Sequence, residues 1–291
     1  MVMSMVGFYC EYPGRAVIAL AGEDRVAFLQ ALISNDIADL SPGQACWSAL
    51  LTPQGKYLCD FFVVADGERL LIDVEAGRAE DLMQRLRRFK LRAKISLERL
   101  PDARVFLGWG EDAEALTSSD AGRRIEGGVV FADPRLAGLG VRVIAATAAV
   151  LTTAGFTSAD FALWDRLRLV AGVPEGTRDL IPEQSILLEA GFDELHGVSW
   201  TKGCYIGQEL TARTKYRALI KKRLIPVRIE GPAPAFGSVI AQGGKEVGEM
   251  RSSQGDYGLA LLRLEALAPG SGALGVAGST LTAVPPTWLS L

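Results

Sequence analysis

The chain has 291 residues, 49% hydrophobic and 22% charged, with a formal net charge of −3. It is too apolar to be disordered and long enough for about two domains with buried cores. Its 32 glycines and 13 prolines follow no period, which excludes collagen-like and coiled-coil structure. The longest nearly apolar run, 143–151, is too short to cross a bilayer, so no membrane partner is expected. Residues 1–10 carry no basic side chain, which argues against a secretory signal and an Arg-rich transit peptide. Cys10, Cys46, Cys59 and Cys204 form no Cys-x-x-Cys clamp, and His196 is the one histidine. No self-contained metal site is expected, and the low cysteine use points to a reducing, cytoplasmic location.

In chain order, 15–20 reads as a strand and 23–33 as a helix with Phe28, Leu29, Leu32 and Ile33 on one face. A turn-rich stretch follows, containing Pro42-Gly43 and Pro53-Gln54-Gly55. The runs 58–64 and 69–74 read as a hairpin around Asp66-Gly67. The stretch 79–89 reads as a helix with Leu82, Leu86 and Phe89 inward; 93–97 and 103–107 read as strands. This order predicts α+β rather than doubly wound architecture. The stretch 110–127 reads as loop or short helix, 140–146 as a strand, and 159–171 as a helix capped by Ser158 with Phe161, Trp164, Leu167 and Val170 inward. Beyond Arg217, five short β-like runs (223–230, 238–241, 246–252, 257–264 and 280–284) are separated by turns at the spacing of a small barrel or sandwich. A boundary near 218 therefore divides 1–217, with an α+β lobe near 45–110, from a C-terminal β domain at 218–291.

The net charge conceals two basic islands. Residues 78–104 carry +5 and residues 202–228 carry +7, so the remainder carries −15. Such islands on an acidic body suit a polyanion, tRNA included, or are simply solvated faces.

The densest chemical signal is Lys202-Gly203-Cys204-Tyr205-Ile206-Gly207-Gln208-Glu209, ahead of a short helix read at 209–214. Two glycines around a cysteine permit close backbone approach, and a cysteine beside a cation ahead of a helix suits a reactive thiol. A structural cysteine in a tight turn is the other reading of the same spacing.

This octapeptide resembles the signature of the folate-binding YgfZ family, itself similar to the T-protein (aminomethyltransferase) of the glycine cleavage system. Phe28-Leu29-Gln30 with Asn35-Asp36, Leu51-Thr52-Pro53-Gln54-Gly55-Lys56 with Asp60, and Leu91-Arg92-Ala93-Lys94 resemble further family elements in the right order. One departure is Arg217-Ala218, where the family has Arg-Gly. The resemblance implies two α+β lobes and a C-terminal β-barrel in a ring-like arrangement around tetrahydrofolate. It also implies a role in assembling or repairing iron–sulfur enzymes, tRNA-modifying ones among them, with those clients and assembly proteins as partners and no stable metal of its own.

On that basis Cys204 is the expected functional centre, whether catalytic or a cluster contact. Gln54, Lys56, Arg92, Lys94, Glu189, Lys202, Tyr205 and Gln208 are the expected folate contacts. Gln54 and Lys56 flank a turn; Arg92 and Lys94 are expected to alternate on one strand face and grip an anionic tail. Glu189, in Leu188-Glu189-Ala190-Gly191, offers two acceptor oxygens to the N–H donors of a pterin. Two alternatives stay open: a folate-dependent one-carbon transferase, with Asp73 and Asp81 or Glu80 near the T-protein's polar pair, and an RNA- or protein-binding module.

Overall fold

A computed structural model describes residues 7–111, 113–117, 122–217, 219–268 and 270–290. Ala218, and with it the departure noted above, lies outside the described residues. The chain divides into two compact units. The first takes the described residues up to Leu50, Cys59–Phe161 and His196–Ile206; the second takes Leu51–Leu58, Ala162–Leu195 and the chain from Gly207.

The first unit is built on two sheets. One runs in the order Ala45–Leu51, Tyr57–Asp66, Arg69–Glu75, Arg15–Ala21, Ser96–Arg99, with strand ends 51 and 57–58 counted in the second unit. Its hairpin closes with Asp66 opposite Arg69, as the Asp66-Gly67 signal predicts. The other runs Thr157–Ser158, Phe8–Glu11, Arg104–Trp109, Val141–Ala145, Gly128–Ala132, Gly122–Ile125. Three helices accompany the sheets: α1 (Arg25–Gln30), α2 (Ala79–Phe89) and α3 (Ala149–Thr153).

Buried ions join the two sheets. Asp73, fully buried, accepts from Arg15 Nε at 2.6 Å and from Arg142 Nη1 at 3.2 Å. Arg142 Nε also donates to Asp133 at 3.0 Å, and its guanidinium lies 3.9 Å from the Phe62 ring centroid. Each buried charge therefore has an opposite charge at hydrogen-bond distance, the condition under which burial is tolerated.

In the second unit, α4 (Phe161–Ala171) and α5 (Gln208–Tyr216) accompany a closed barrel ordered Lys222–Glu230, Tyr257–Arg263, Lys245–Gln254, Val239–Gln242, Leu274–Val276, Ser279–Ala283. The barrel encloses Ile225, Val227, Ile240, Met250, Ala260 and Leu262. The barrel strand that the five expected runs lack, Leu274–Val276, is three residues long and too short to announce itself by alternation.

The structure corrects several expectations. Helix α1 ends at Gln30, because the Gln30 side chain accepts from Ile37 N–H at 2.9 Å and donates to Asp36 at 2.8 Å, turning the chain. Phe89 ends α2 45% exposed rather than inward. The strand expected at 93–97 starts at Ser96, so Arg92 sits in a turn and Lys94 in a loop, and the two do not alternate on a strand face. The turn-rich stretch after Pro42 contains the strand Ala45–Leu51. The buried face of α4 is Trp164, Asp165, Arg168 and Leu169, while Val170 is 39% exposed.

Charge sets that rotation. Arg168 donates to Asp165 at 2.7 Å, to Asp179 at 2.6 Å, to the Val173 carbonyl at 3.1 Å and to Ser252 Oγ at 2.8 Å. Arg178 clamps the Asp165 carboxylate from the other side at 2.7 and 2.5 Å. Burial pushes the Asp165 carboxyl up, but the hydrogen bonds and charges of Arg178 and Arg168 outweigh it and hold the group below its ordinary value.

Two outcomes follow. Arg168→Ala strands buried carboxylates and is expected to cost about 3–5 kcal/mol in urea unfolding. Because the folded pKa of Asp165 is lowered, its stabilisation is present above the unfolded carboxylate value of about 3.9 and is lost as pH falls through the folded one. The wild-type advantage over Asp165→Asn in acid-titrated unfolding should shrink below that pH.

Candidate functional site

The octapeptide crosses between the units at Ile206 and Gly207, so its two halves have different settings. In the first unit, Lys202 is buried, and its ammonium donates to the Ile33 carbonyl at 2.8 Å and the Asn35 carbonyl at 2.5 Å. Asn35 Nδ2 donates to the Trp47 carbonyl at 2.8 Å and the His196 carbonyl at 2.7 Å. Ser199 N–H donates to the Ser34 carbonyl at 3.0 Å, and Ser34 Oγ to the Gly197 carbonyl at 2.7 Å. The corner after α1 and the loop from His196 to Cys204 are thus stitched through side chains and one backbone bond. Tyr205 is buried, its ring centroid 5.5 Å from Lys202 Nζ. Lys202 and Tyr205, expected as folate contacts, face the protein and hold the loop.

Between these two buried side chains Cys204 is exposed. Cys10, Cys46 and Cys59 are buried, and burial pushes each thiol up to about 12. Gly203 has an open position where a Cβ would sit, so close approach does not require glycine there. Gly207 is different: its φ is +83°, and a Cβ would lie 2.6 Å from the Thr52 carbonyl oxygen.

In the second unit, Gly207 packs on the turn 52–56. A Cβ on Gly55, at φ +70°, would meet the Gly207 carbonyl oxygen at 3.1 Å and Leu210 Cβ at 3.2 Å. The turn closes by Thr52 N–H to the Lys56 carbonyl at 2.8 Å and Gly55 N–H to the Thr52 carbonyl at 2.9 Å. Gln54 at its tip is exposed, and Gln208 is the half-buried first residue of α5. Lys56 donates from Nζ to the Gln184 carbonyl at 3.0 Å and bridges Ile186.

Glu189 stands three residues beyond, on the short turn Leu187–Ala190. Burial raises its pKa above the ordinary carboxylate value, against the pull of Lys222, Lys56, Arg223 and Arg251. Among the described residues its carboxylate has no hydrogen bond or ion pair, whereas Arg223 is tied to Glu194 at 2.7 Å and the Leu188 carbonyl at 2.6 Å. The partly open cavity beside it is about 10 Å³, the size of one water, so a larger ligand meets Glu189 from outside.

The structure therefore gathers Gln54, Lys56, Gln208 and Glu189 in one unit and Lys202, Cys204 and Tyr205 in the other. Arg92 and Lys94 join neither group: Arg92 is exposed in its turn, and Lys94 is paired with Glu23. Lys222 and Arg223 around Glu189 belong to the second basic island, whereas Arg251, 62 residues from Glu189 in sequence, lies outside both islands and carried no local signal. Asp73 is committed to Arg15 and Arg142, and Asp81 to Arg78 and Arg85, so both act structurally. The second basic island is partly neutralised by Lys215–Asp193 and Arg223–Glu194 pairs.

Under native conditions one thiol, Cys204, should react rapidly with a disulfide reagent, and Cys204→Ser should abolish that fast phase; three fast thiols would contradict the burial described. Burial lowers the Lys202 pKa from 10.5 to about 8. The unfolded chain then binds more protons between those values, so this residue's contribution to stability rises with pH there. The unfolding free energy of wild type relative to Lys202→Met should increase from pH 8 to pH 10.5.

Residues 221–291 match the family model described as CAF17, C-terminal beta-barrel domain. The chain is 34% identical over 270 residues to the human protein named iron–sulfur cluster assembly factor IBA57, mitochondrial, covering 86% of this chain and 75% of that one. The mouse protein of the same name is 32% identical over 301 residues, covering 94% and 83%. In structure, the chain resembles the glycine cleavage system aminomethyltransferase T from Bartonella henselae with a TM-score of 0.77 at 17% identity, over 98% of this chain and 87% of that one. The fold is accordingly T-protein-like, α+β with a closed six-stranded C-terminal barrel. The expected YgfZ kinship stands at that coarser level, through relatives related to that family. The cytoplasmic expectation is overturned, since these relatives are named as mitochondrial; low cysteine use reports a reducing environment and does not distinguish one such compartment from another. By sequence identity across most of both chains, this protein belongs to the IBA57 family of iron–sulfur cluster assembly factors.

Proposed function

We propose that the protein supports the assembly or repair of iron–sulfur enzymes, tRNA-modifying ones included, by presenting Cys204 to a cluster in transit and by binding a reduced folate. The single observation that carries the first part is the exposure of Cys204 on a loop pinned by the buried Lys202, while the other three cysteines are sealed away. One thiolate does not complete the ligand set of a cluster, so the remaining ligands come from partner assembly proteins or clients. The cluster is cargo in this reading. The pinned loop holds the sulfur at the surface, where a partner-bound iron can reach it.

The folate part rests on Glu189. A half-buried carboxylate without a hydrogen-bond donor fits the N–H face of a pterin, and Lys56, Lys222 and Arg251 around it suit a ligand with carboxylates at its other end. A bound tetrahydrofolate would supply amines that accept a one-carbon unit. Gln54 and Gln208, beside the Gly55–Gly207 contact, supply neutral donors and acceptors to the same ligand.

Calorimetry with tetrahydrofolate should show binding by wild type and by Cys204→Ser. Glu189→Gln should bind roughly tenfold or more weakly, as loss of a charge-assisted hydrogen bond predicts. In cells carrying only Cys204→Ser, a client iron–sulfur enzyme should lose cluster content and activity although the variant folds. Absence of folate affinity in wild type removes the folate part, and full client activity with Cys204→Ser removes the cysteine part.

A further inference from the structure

We infer that the tip formed by residues 89–92 at the end of α2 docks on an anionic lipid surface. Residues 82–97 hold six Lys and Arg and no acidic residue. Arg85 is paired with Asp81, Arg87 with Glu80 and Lys94 with Glu23. Arg88, Lys90 and Arg92 are exposed and, among the described residues, have no ion-pair partner. Between them project two large apolar side chains, Phe89 at 45% exposure and Leu91 at 90%.

Helix termination does not account for this composition. Cations near a helix C-terminus meet the negative end of the dipole, which explains Arg87 and Arg88. Leu91, however, sits at φ +40° just past the helix, a conformation for which glycine is the default residue. A leucine there keeps a strained backbone and a large apolar side chain in water, with no fold contact in return.

The chemistry selects among anionic partners. A single-stranded RNA takes cations and stacking aromatics, which leaves Leu91 without a role. A stable protein interface buries about 800 Å² per partner around an apolar centre, more than two exposed side chains provide. A bilayer interface needs less: one or two large apolar groups at the acyl boundary, with Lys and Arg among anionic headgroups. No helix of the described residues is long and apolar enough to cross a membrane, and a tip lying on one requires none.

The test is flotation of the full chain with vesicles of phosphatidylcholine alone, or of phosphatidylcholine and phosphatidylglycerol in equal parts. Binding is expected only to the anionic vesicles, and added salt should weaken it. Leu91→Gly suits the local backbone, so it should fold at least as well as wild type while lowering the bound fraction roughly tenfold; Phe89→Glu should do the same. Absence of binding to anionic vesicles at low salt overturns the proposal. So does binding unchanged in both variants. Binding of a single-stranded RNA oligonucleotide that is lost in these variants, without vesicle binding, reassigns the tip to RNA and also overturns it.

Discussion

The ammonium group of Lys202 is buried against the carbonyls of Ile33 and Asn35, and the position of Cys204 follows from that contact. A lysine out of water is costly unless its donors are met, and here two backbone acceptors and the face of Tyr205 meet them. The compensation is incomplete, as the pKa lowered to about 8 records. These contacts hold a loop without regular secondary structure with Lys202 and Tyr205 inward and Cys204 outward. The octapeptide is therefore a division of labour, three of its residues holding a fourth in water or closing on the neighbouring turn through Gly207.

The same logic recurs through both units at larger scale. Arg142 between Asp73 and Asp133 ties two sheets, and Arg168 between Asp165 and Asp179 ties a helix to a turn and to Ser252. Such pairs contribute little net stability compared with apolar replacements, but breaking one partner is expensive, so they penalise misregistered packing strongly. They also remove acids from chemical use. Asp73 and Asp81, the carboxylates nearest the T-protein pattern, are both held by two arginines. Glu189 is a half-buried carboxylate that, among the described residues, accepts no hydrogen bond and so keeps its acceptor capacity.

The basic islands divide on the same principle. Some of their cations enter ion pairs, as Lys94, Lys215 and Arg223 do; Lys202 is buried against backbone carbonyls, and Arg88, Lys90 and Arg92 remain in solvent. Counting charges along the chain treats these as equivalent. The exposed cations at the end of α2 that have no ion-pair partner among the described residues coincide with the exposed Phe89 and Leu91.

The sequence by itself determined what depends on neighbours in the chain. The apolar spacing of Leu82 and Leu86 sets the inner face of α2, Asp66-Gly67 sets the hairpin, and the β-like runs after Arg217 set a C-terminal β domain of barrel or sandwich type, because helix period, turn chemistry and strand alternation are local. The octapeptide was legible for the same reason, with its cysteine open to a reactive or a structural reading. Tertiary structure decided the rest. Which face of α4 is buried depends on Asp179 and Ser252, 11 and 84 residues from Arg168. Whether Lys202 meets a ligand or a carbonyl depends on a corner at Ile33 and Asn35, 169 and 167 residues away. The setting of Glu189 depends on Lys56 and on barrel cations. Coulomb attraction and hydrogen bonding act on distance in space, and a one-dimensional pattern carries no record of which distant charge the fold brings near.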